Sequence, residues 1–182
     1  YTAYDMASDG IHLYVCGNLP NYNGTGISHL VRWNLATKIL DTWDPKITGS
    51  LNRIAVDDSS VYATGNITKV GNDNQLYYAR IRKYDGANIR QNFQLKAPDG
   101  GQSYEGSASG LFLTDNLVYL NGDFELDAKR RGVIAINKKN NTPTNYHVDF
   151  DVSPEVFYDI IQYDEKLLLS TADIEINNVQ SG

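Results

Sequence analysis

Apolar residues along this chain either alternate with polar ones or gather in short runs, and no stretch keeps the i, i+3, i+4 spacing of an amphipathic helix. The pattern therefore predicts strands throughout. The clearest run is Val61-Tyr62-Ala63-Thr64-Gly65-Asn66, and the chain repeats it. Leu13-Tyr14-Val15-Cys16-Gly17-Asn18 comes before it, while Val118-Tyr119-Leu120-Asn121-Gly122-Asp123 and an eroded copy, Leu168-Leu169-Ser170-Thr171-Ala172-Asp173, come after. The anchors at 17, 65, 122 and 172 lie 48, 57 and 50 residues apart, the length of one supersecondary unit in a repeat architecture.

Around each copy the order of elements recurs. In the second unit, residues 51–56 read as a strand, Asp57-Asp58-Ser59-Ser60 as a turn and residues 61–65 as the next strand. A polar loop over 66–76 leads to a third strand at 77–84, and Asp85-Gly86 turns the chain into a fourth at 89–95. The first unit repeats this with strands at 13–17, 29–34 and 38–43, and the third with strands at 110–113, 117–121, 132–136 and 144–150. Residues 156–161 and 166–171 begin a fourth, and the last residues, 174–182, read as a loop like the one after Gly65.

Four-stranded antiparallel sheets of this length are the blades of a β-propeller. The expected fold is all-β, with blade units over about 1–45, 51–97, 107–150 and 156–182, the last incomplete. Some three and a half blades are thus visible in a single propeller segment. A partial ring leaves sheet edges open. Further blades of the same polypeptide, or a protein partner, are therefore expected to complete it, and the chain is expected to be a piece of something longer.

Composition narrows the partners. A formal charge of -6 argues against nucleic acid, which needs clustered Lys and Arg, and the one compact basic run, Lys129-Arg130-Arg131, reads as a solvated loop. Cys16 is the single cysteine, so no intrachain disulfide can form. No run of 18 apolar residues is present, so no membrane-spanning helix is expected.

The units resemble delta-60 repeat propellers, in which a strand ending in Gly-Gly or Gly-Asn precedes a polar loop, an Ala-Arg-Leu-like strand, an Asp-Gly turn and a strand ending in an aromatic. Here the matching residues are Gly65-Asn66, Ala79-Arg80-Ile81, Asp85-Gly86 and Phe93 in one unit. In another they are Gly17-Asn18, Val31-Arg32-Trp33-Asn34 and Trp43-Asp44-Pro45. Gly17, Gly65, Gly122, Trp43 and Phe93 are the repeat positions. The resemblance implies a secreted or cell-surface setting, such as an appendage or virion, and it carries no catalytic residues.

Candidate chemistry is sparse. His12, His29 and His147 share no ligand spacing, Gly71-Asn72-Asp73-Asn74-Gln75 and Asp123-Phe124-Glu125-Leu126-Asp127 lack a calcium-loop pattern, and no nucleophile or phosphate motif occurs. No cofactor, metal or catalytic residue is expected. Short turns such as Asp57–Ser60 and 85–88 would lie on one side, and the long connections 19–28, 44–50, 67–76 and 96–106 on the other. Any binding face is expected there, with Tyr22, Tyr77 and Tyr104 as contacts. The leading expectation is a structural or protein-binding module, not an enzyme. The alternative is a ligand-binding or catalytic propeller, directed to carbohydrate or calcium, with its site on the long-loop face.

Overall fold

Each alternating run forms one strand of an antiparallel ladder, because period-2 alternation sends its apolar residues to one face of a pleated sheet. This computed structural model describes residues 1–98, 106–150, 156–163, 166–172 and 176–180. Among them there is no α-helix, and none is long and apolar enough to cross a membrane. The chain divides into two compact units, Tyr1–Arg90 and Gln91–Gly182.

The first unit holds two sheets. Sheet 1 is β1 (Thr2–Ser8), β2 (His12–Asn18) and β3 (Leu30–Asn34), in that order. Sheet 2 centres on β5 (Ser60–Val70), which pairs with β4 (Ile47–Val56), with the two-residue β6 (Asp73–Asn74) and with β7 (Tyr78–Arg82). Tyr14, Cys16 and Leu30 of sheet 1 pack on Leu51, Ile54, Val61, Ala63 and Ile81 of sheet 2, and all of these are at most 6% exposed. Each large aliphatic side chain removed from water here contributes about 2 kcal/mol.

The second unit contains β8 (Ser107–Leu113), β9 (Leu117–Glu125), β10 (Arg131–Asn137) and β11 (Thr142–Phe150), joined in chain order as sheet 3. Sheet 4 is the pair β12 (Val156–Tyr163) and β13 (Lys166–Ala172). The last strand, β14 (Ile176–Gln180), returns to sheet 3 and pairs antiparallel with β11. Val133, Val148, Phe112, Tyr119 and Tyr146 of sheet 3 pack against Ile160, Leu167 and Leu169 of sheet 4.

The repeat is visible in the hydrogen bonds as well as in the sequence. In all four sheets the first strand carries a bulge opposite the end of the second, after Ala3↔Gly17, Leu51↔Gly65, Ala108↔Gly122 and Phe157↔Thr171. At three of these positions a glycine is required because the bulged strand comes too close for a side chain. A Cβ on Gly17, Gly65 or Gly122 would lie 2.0, 2.1 or 2.3 Å from the facing carbonyl oxygen of Thr2, Ser50 or Ser107. The register puts Thr171 in the fourth position, one residue before the expected anchor Ala172.

The first turn of the first three repeats is also alike. Asp9 Oδ1 accepts the amides of Ile11 and His12 while its Oδ2 accepts the Tyr14 hydroxyl. Asp57 does the same with Ser59, Ser60 and Tyr62, and Thr114 Oγ1 accepts Leu117 N in the third unit. A side-chain oxygen that satisfies the turn amides makes the tight reversal favourable. In the hairpin after the third strand, Lys38, Gly86 and Asn141 occupy equivalent left-handed positions, at φ 59°, 77° and 56°. Lysine is the poorest fit of the three. We expect Lys38→Gly to stabilise the first unit by about 1 kcal/mol, read as a shift in the urea midpoint.

Several expectations need correction. The fourth strands predicted at 38–43 and 89–95 are reduced to single bridges, Trp33↔Leu40 and Ile81↔Asn88. Asp41 diverts the first by turning its side chain onto Arg32 and the Trp43 amide, and Asn88 diverts the second by donating to Asp73. Much of the predicted loop at 66–76 is strand: β5 runs on to Val70, where buried Ile67 and Val70 pair with the early part of β4. Within the predicted final loop, Ile176–Gln180 is also a strand, β14, paired antiparallel with β11. Arg130 is no solvated charge, since it grips Asp127 at 2.6 Å and the Thr144 carbonyl at 2.8 Å.

Candidate binding cleft

Between sheets 1 and 2 of the first unit lies an open cleft of about 590 Å³. Four segments build it, the connection before β3 contributing Thr25 and Ile27. Strand β3 contributes Arg32, the chain after the Leu40 bridge contributes Asp41, Trp43, Asp44 and Lys46, and the hairpin after β7 contributes Tyr84 and Asp85.

Arg32 organises one wall. Its Nε and Nη2 donate to Asp41 Oδ2 at 2.9 and 2.6 Å, its Nη1 donates to the Lys83 carbonyl at 2.5 Å, and its guanidinium lies 5.0 Å above the Trp43 ring. Trp43 is fixed in turn, its amide donating to Asp41 Oδ1 and its indole N–H to the Arg82 carbonyl. Burial pushes the Asp41 carboxyl up, but hydrogen bonds from Arg32 and the Trp43 amide outweigh it and hold the group below its ordinary value. On the opposite wall Arg82 grips Asp85 through two bonds of 2.9 Å and stacks 4.9 Å above Tyr84. The Arg82 bond likewise lowers the Asp85 carboxyl. Lys46 Nζ meets Asp44 Oδ2 at 2.6 Å.

Asp41 and Asp85 are thus held as anions beside their own cations, and Asp44 has the Lys46 ammonium beside it. The arrangement suits recognition by fixed hydrogen-bond acceptors. The aromatic side chain of the cleft open to a ligand is Tyr84, 75% exposed, at the rim. Trp43, by contrast, is 5% exposed and acts as the floor.

The anticipated contacts fare unevenly. Tyr22 is half-buried, its ring edge-on to Trp33 at 5.4 Å and next to Tyr1. Tyr77 is fully buried with a left-handed backbone, φ 66°, so its ring belongs to the core and offers nothing to a surface partner. Tyr104 lies outside the described residues. Trp43 is a core residue, while Phe93 is half-buried, and counting from the equivalent bridges at Leu40 and Asn88 places Gln91, not Phe93, in the position of Trp43.

The division into a short-turn side and a long-loop side does not survive. Asp85, from a short turn, lines the same cleft as Asp44, from a long connection, because Gly86 lets that turn come within contact of the Asp44 backbone. Sequence reading missed the cleft because its residues come from segments some forty positions apart. The one available signal was that Arg32 and Arg80 occupy the same strand position facing Tyr14 and Tyr62.

Among the described residues no group of three or more His, Cys, Asp or Glu is placed to hold a metal ion. Asp73 is taken by Arg90 and Asn88, and Asp127, lowered to about 2 chiefly by the Arg130 hydrogen bond, is taken by Arg130. Burial pushes the Cys16 thiol up to about 12, so it stays protonated inside the core.

No protein-family model matches the chain, and none of the curated proteins matches it. Among solved structures it is similar to a computationally designed protein, Ika4, known from a crystal structure. The alignment has a TM-score of 0.59 at 11% identity and covers 98% of this chain and 90% of the other. At that identity the likeness concerns the fold alone.

Proposed function

We propose that the chain is a β-propeller segment of the delta-60 type that serves as a non-enzymatic structural or protein-binding module of a larger secreted or cell-surface protein. The observation that supports it is the repetition of one bulged register in all four sheets, with three units sharing the same turn chemistry. Such a unit carries a surface, and its cleft holds paired charges with no group poised for proton transfer. Turnover of any ester, glycoside, phosphate or redox substrate by the purified chain, abolished by a cleft substitution, would overturn the proposal.

A second reading, ligand binding at the cleft, is favoured by the exposed Tyr84 ring beside three fixed carboxylate acceptors. A sugar ring presents an apolar face for stacking and hydroxyl donors for the acceptors. If a glycan screen finds a saccharide that binds, Tyr84→Ala is expected to weaken it about tenfold, the loss of one stacking contact worth about 1.4 kcal/mol. An unchanged Kd would remove the cleft from consideration. Calcium is not supported there, since each carboxylate already has a cation beside it.

A further inference from the structure

The sheet-on-sheet contact inside each unit has the same construction. In the first unit the face of sheet 1 bearing Tyr14 and Cys16 covers the face of sheet 2 bearing Ile54, Val61 and Ala63. In the second, the face of sheet 3 bearing Phe112 and Tyr119 covers the face of sheet 4 bearing Ile160, Leu167 and Leu169. Call the covering side of a sheet its front and the covered side its back.

Two faces carry exposed apolar side chains, one of each kind. On the back of sheet 1, Met6 occupies the register position of Ile54 and Ile160, yet it is 64% exposed where they are 6% and 1%. Leu13 and Val15 beside it are half-buried, whereas their equivalents Val61 and Ala63 are fully buried. On the front of sheet 4, Leu168 occupies the position of Tyr14 and Tyr62; it is 47% exposed and they are 0%. Ile161 and Tyr163 on the same face are 51% and 71% exposed, and a shallow hollow of about 200 Å³ lies between Ile161, Leu168 and Leu169.

On the back of sheet 1 the connection before β3 covers Val31 with Leu19 and Ile27, which leaves the part around Met6 open. A chain that exposes part of one back and one front carries both halves of a contact that each unit already makes within itself. We propose that the front of sheet 4 packs on the back of sheet 1 of a second copy of this chain, giving head-to-tail association with Met6 and Leu168 near the centre of the junction. Such a contact is heterologous, so each copy uses a different face on either side, and the series ends only by closing into a ring. Apolar side chains in register on a sheet face are the material of sheet packing, and a charge placed among them without a partner opposes burial. The inference rests on the repeat reading that underlies the proposed function.

Sedimentation of the full chain across about 1–100 μM tests it. Wild type is expected at a whole multiple of the chain mass. Met6→Lys alone and Leu168→Glu alone are each expected to be monomeric, with far-UV circular dichroism unchanged because both side chains start largely exposed. An equimolar mixture of the two variants is expected to associate and to stop at two chains, since it keeps one intact front and one intact back. A monomeric wild type overturns the inference, as does a Leu168→Glu chain that associates unaided, which would mean back meets back. In either case the scaffold proposal stands, because it is tested by turnover and not by mass.

Discussion

Gly65→Ala is expected to destabilise the first unit by about 3 kcal/mol or more, the range of substitutions that force a buried backbone to move. A methyl group at that position would lie 2.1 Å from the Ser50 carbonyl oxygen and 2.8 Å from Leu51 Cα, so β4 or β5 must shift and the bulge register with it. The measurement is urea unfolding followed by tryptophan fluorescence. Both tryptophans, Trp33 and Trp43, belong to Tyr1–Arg90, so the signal reports that unit alone. Gly10→Ala supplies the control, because its φ is 84° and nothing lies within 4 Å of an added Cβ, which leaves only backbone strain of about 1 kcal/mol. Equal losses in the two variants would mean that close strand approach is not what demands glycine at the anchor.

Lys83→Met is expected to cost about 3 kcal/mol as well, through a different interaction. Lys83 Nζ lies 2.7 Å from Asp9 Oδ2 and donates to the Asp57 carbonyl at 3.1 Å, so one ammonium ties the first turn of sheet 1 to the first turn of sheet 2. Its side chain is 19% exposed and that of Asp9 is 9%, so removing the cation leaves a carboxylate with little water to replace it. Burial alone would raise the Asp9 carboxyl. Lys83 and the amides of His12 and Ile11 reverse that and hold it well below the ordinary carboxylate range. A folded-state pKa below the unfolded one stabilises at pH values above the unfolded pKa and is lost as pH falls. Asp41 and Asp127 are lowered too and act in the same direction. Wild-type stability should therefore decline as pH drops below about 5, and the decline should be shallower in Lys83→Met. An acid limb as steep in the variant as in wild type would show that Asp9 contributes little to it.

Strands that bury alternate residues announced themselves, and the sequence also marked the glycines, since a close backbone approach tolerates nothing else. Elements held by other means were hidden. β14 is Asn-rich and joins β11 through main-chain hydrogen bonds, so its side chains carry no alternation to read. Residues 66–70 look polar at Asn66, Thr68 and Lys69, and only the burial of Ile67 and Val70 shows that β5 continues. Tyr77 follows the polar segment 66–76 and was expected at the edge of a binding face, but it lies fully buried with a left-handed backbone. The cleft was out of reach for a related reason: a charge pair such as Arg32 with Asp41 looks the same in sequence whether it caps a loop or lines a cavity.

The route of β14 bears on how this polypeptide is made. Sheets 1 and 2 are assembled from neighbours in sequence, so hairpin after hairpin can form as synthesis proceeds, and such local topology favours fast folding. Sheet 3 cannot be finished that way. Its β11 edge stays bare until residues 176–180 emerge, after the whole of β12 and β13 has intervened. An unpaired edge kept waiting on the ribosome is an invitation to pair with a neighbouring nascent chain. Yield on overexpression is therefore expected to depend on how quickly residues 176–180 follow β11, more than on the stability of the finished fold.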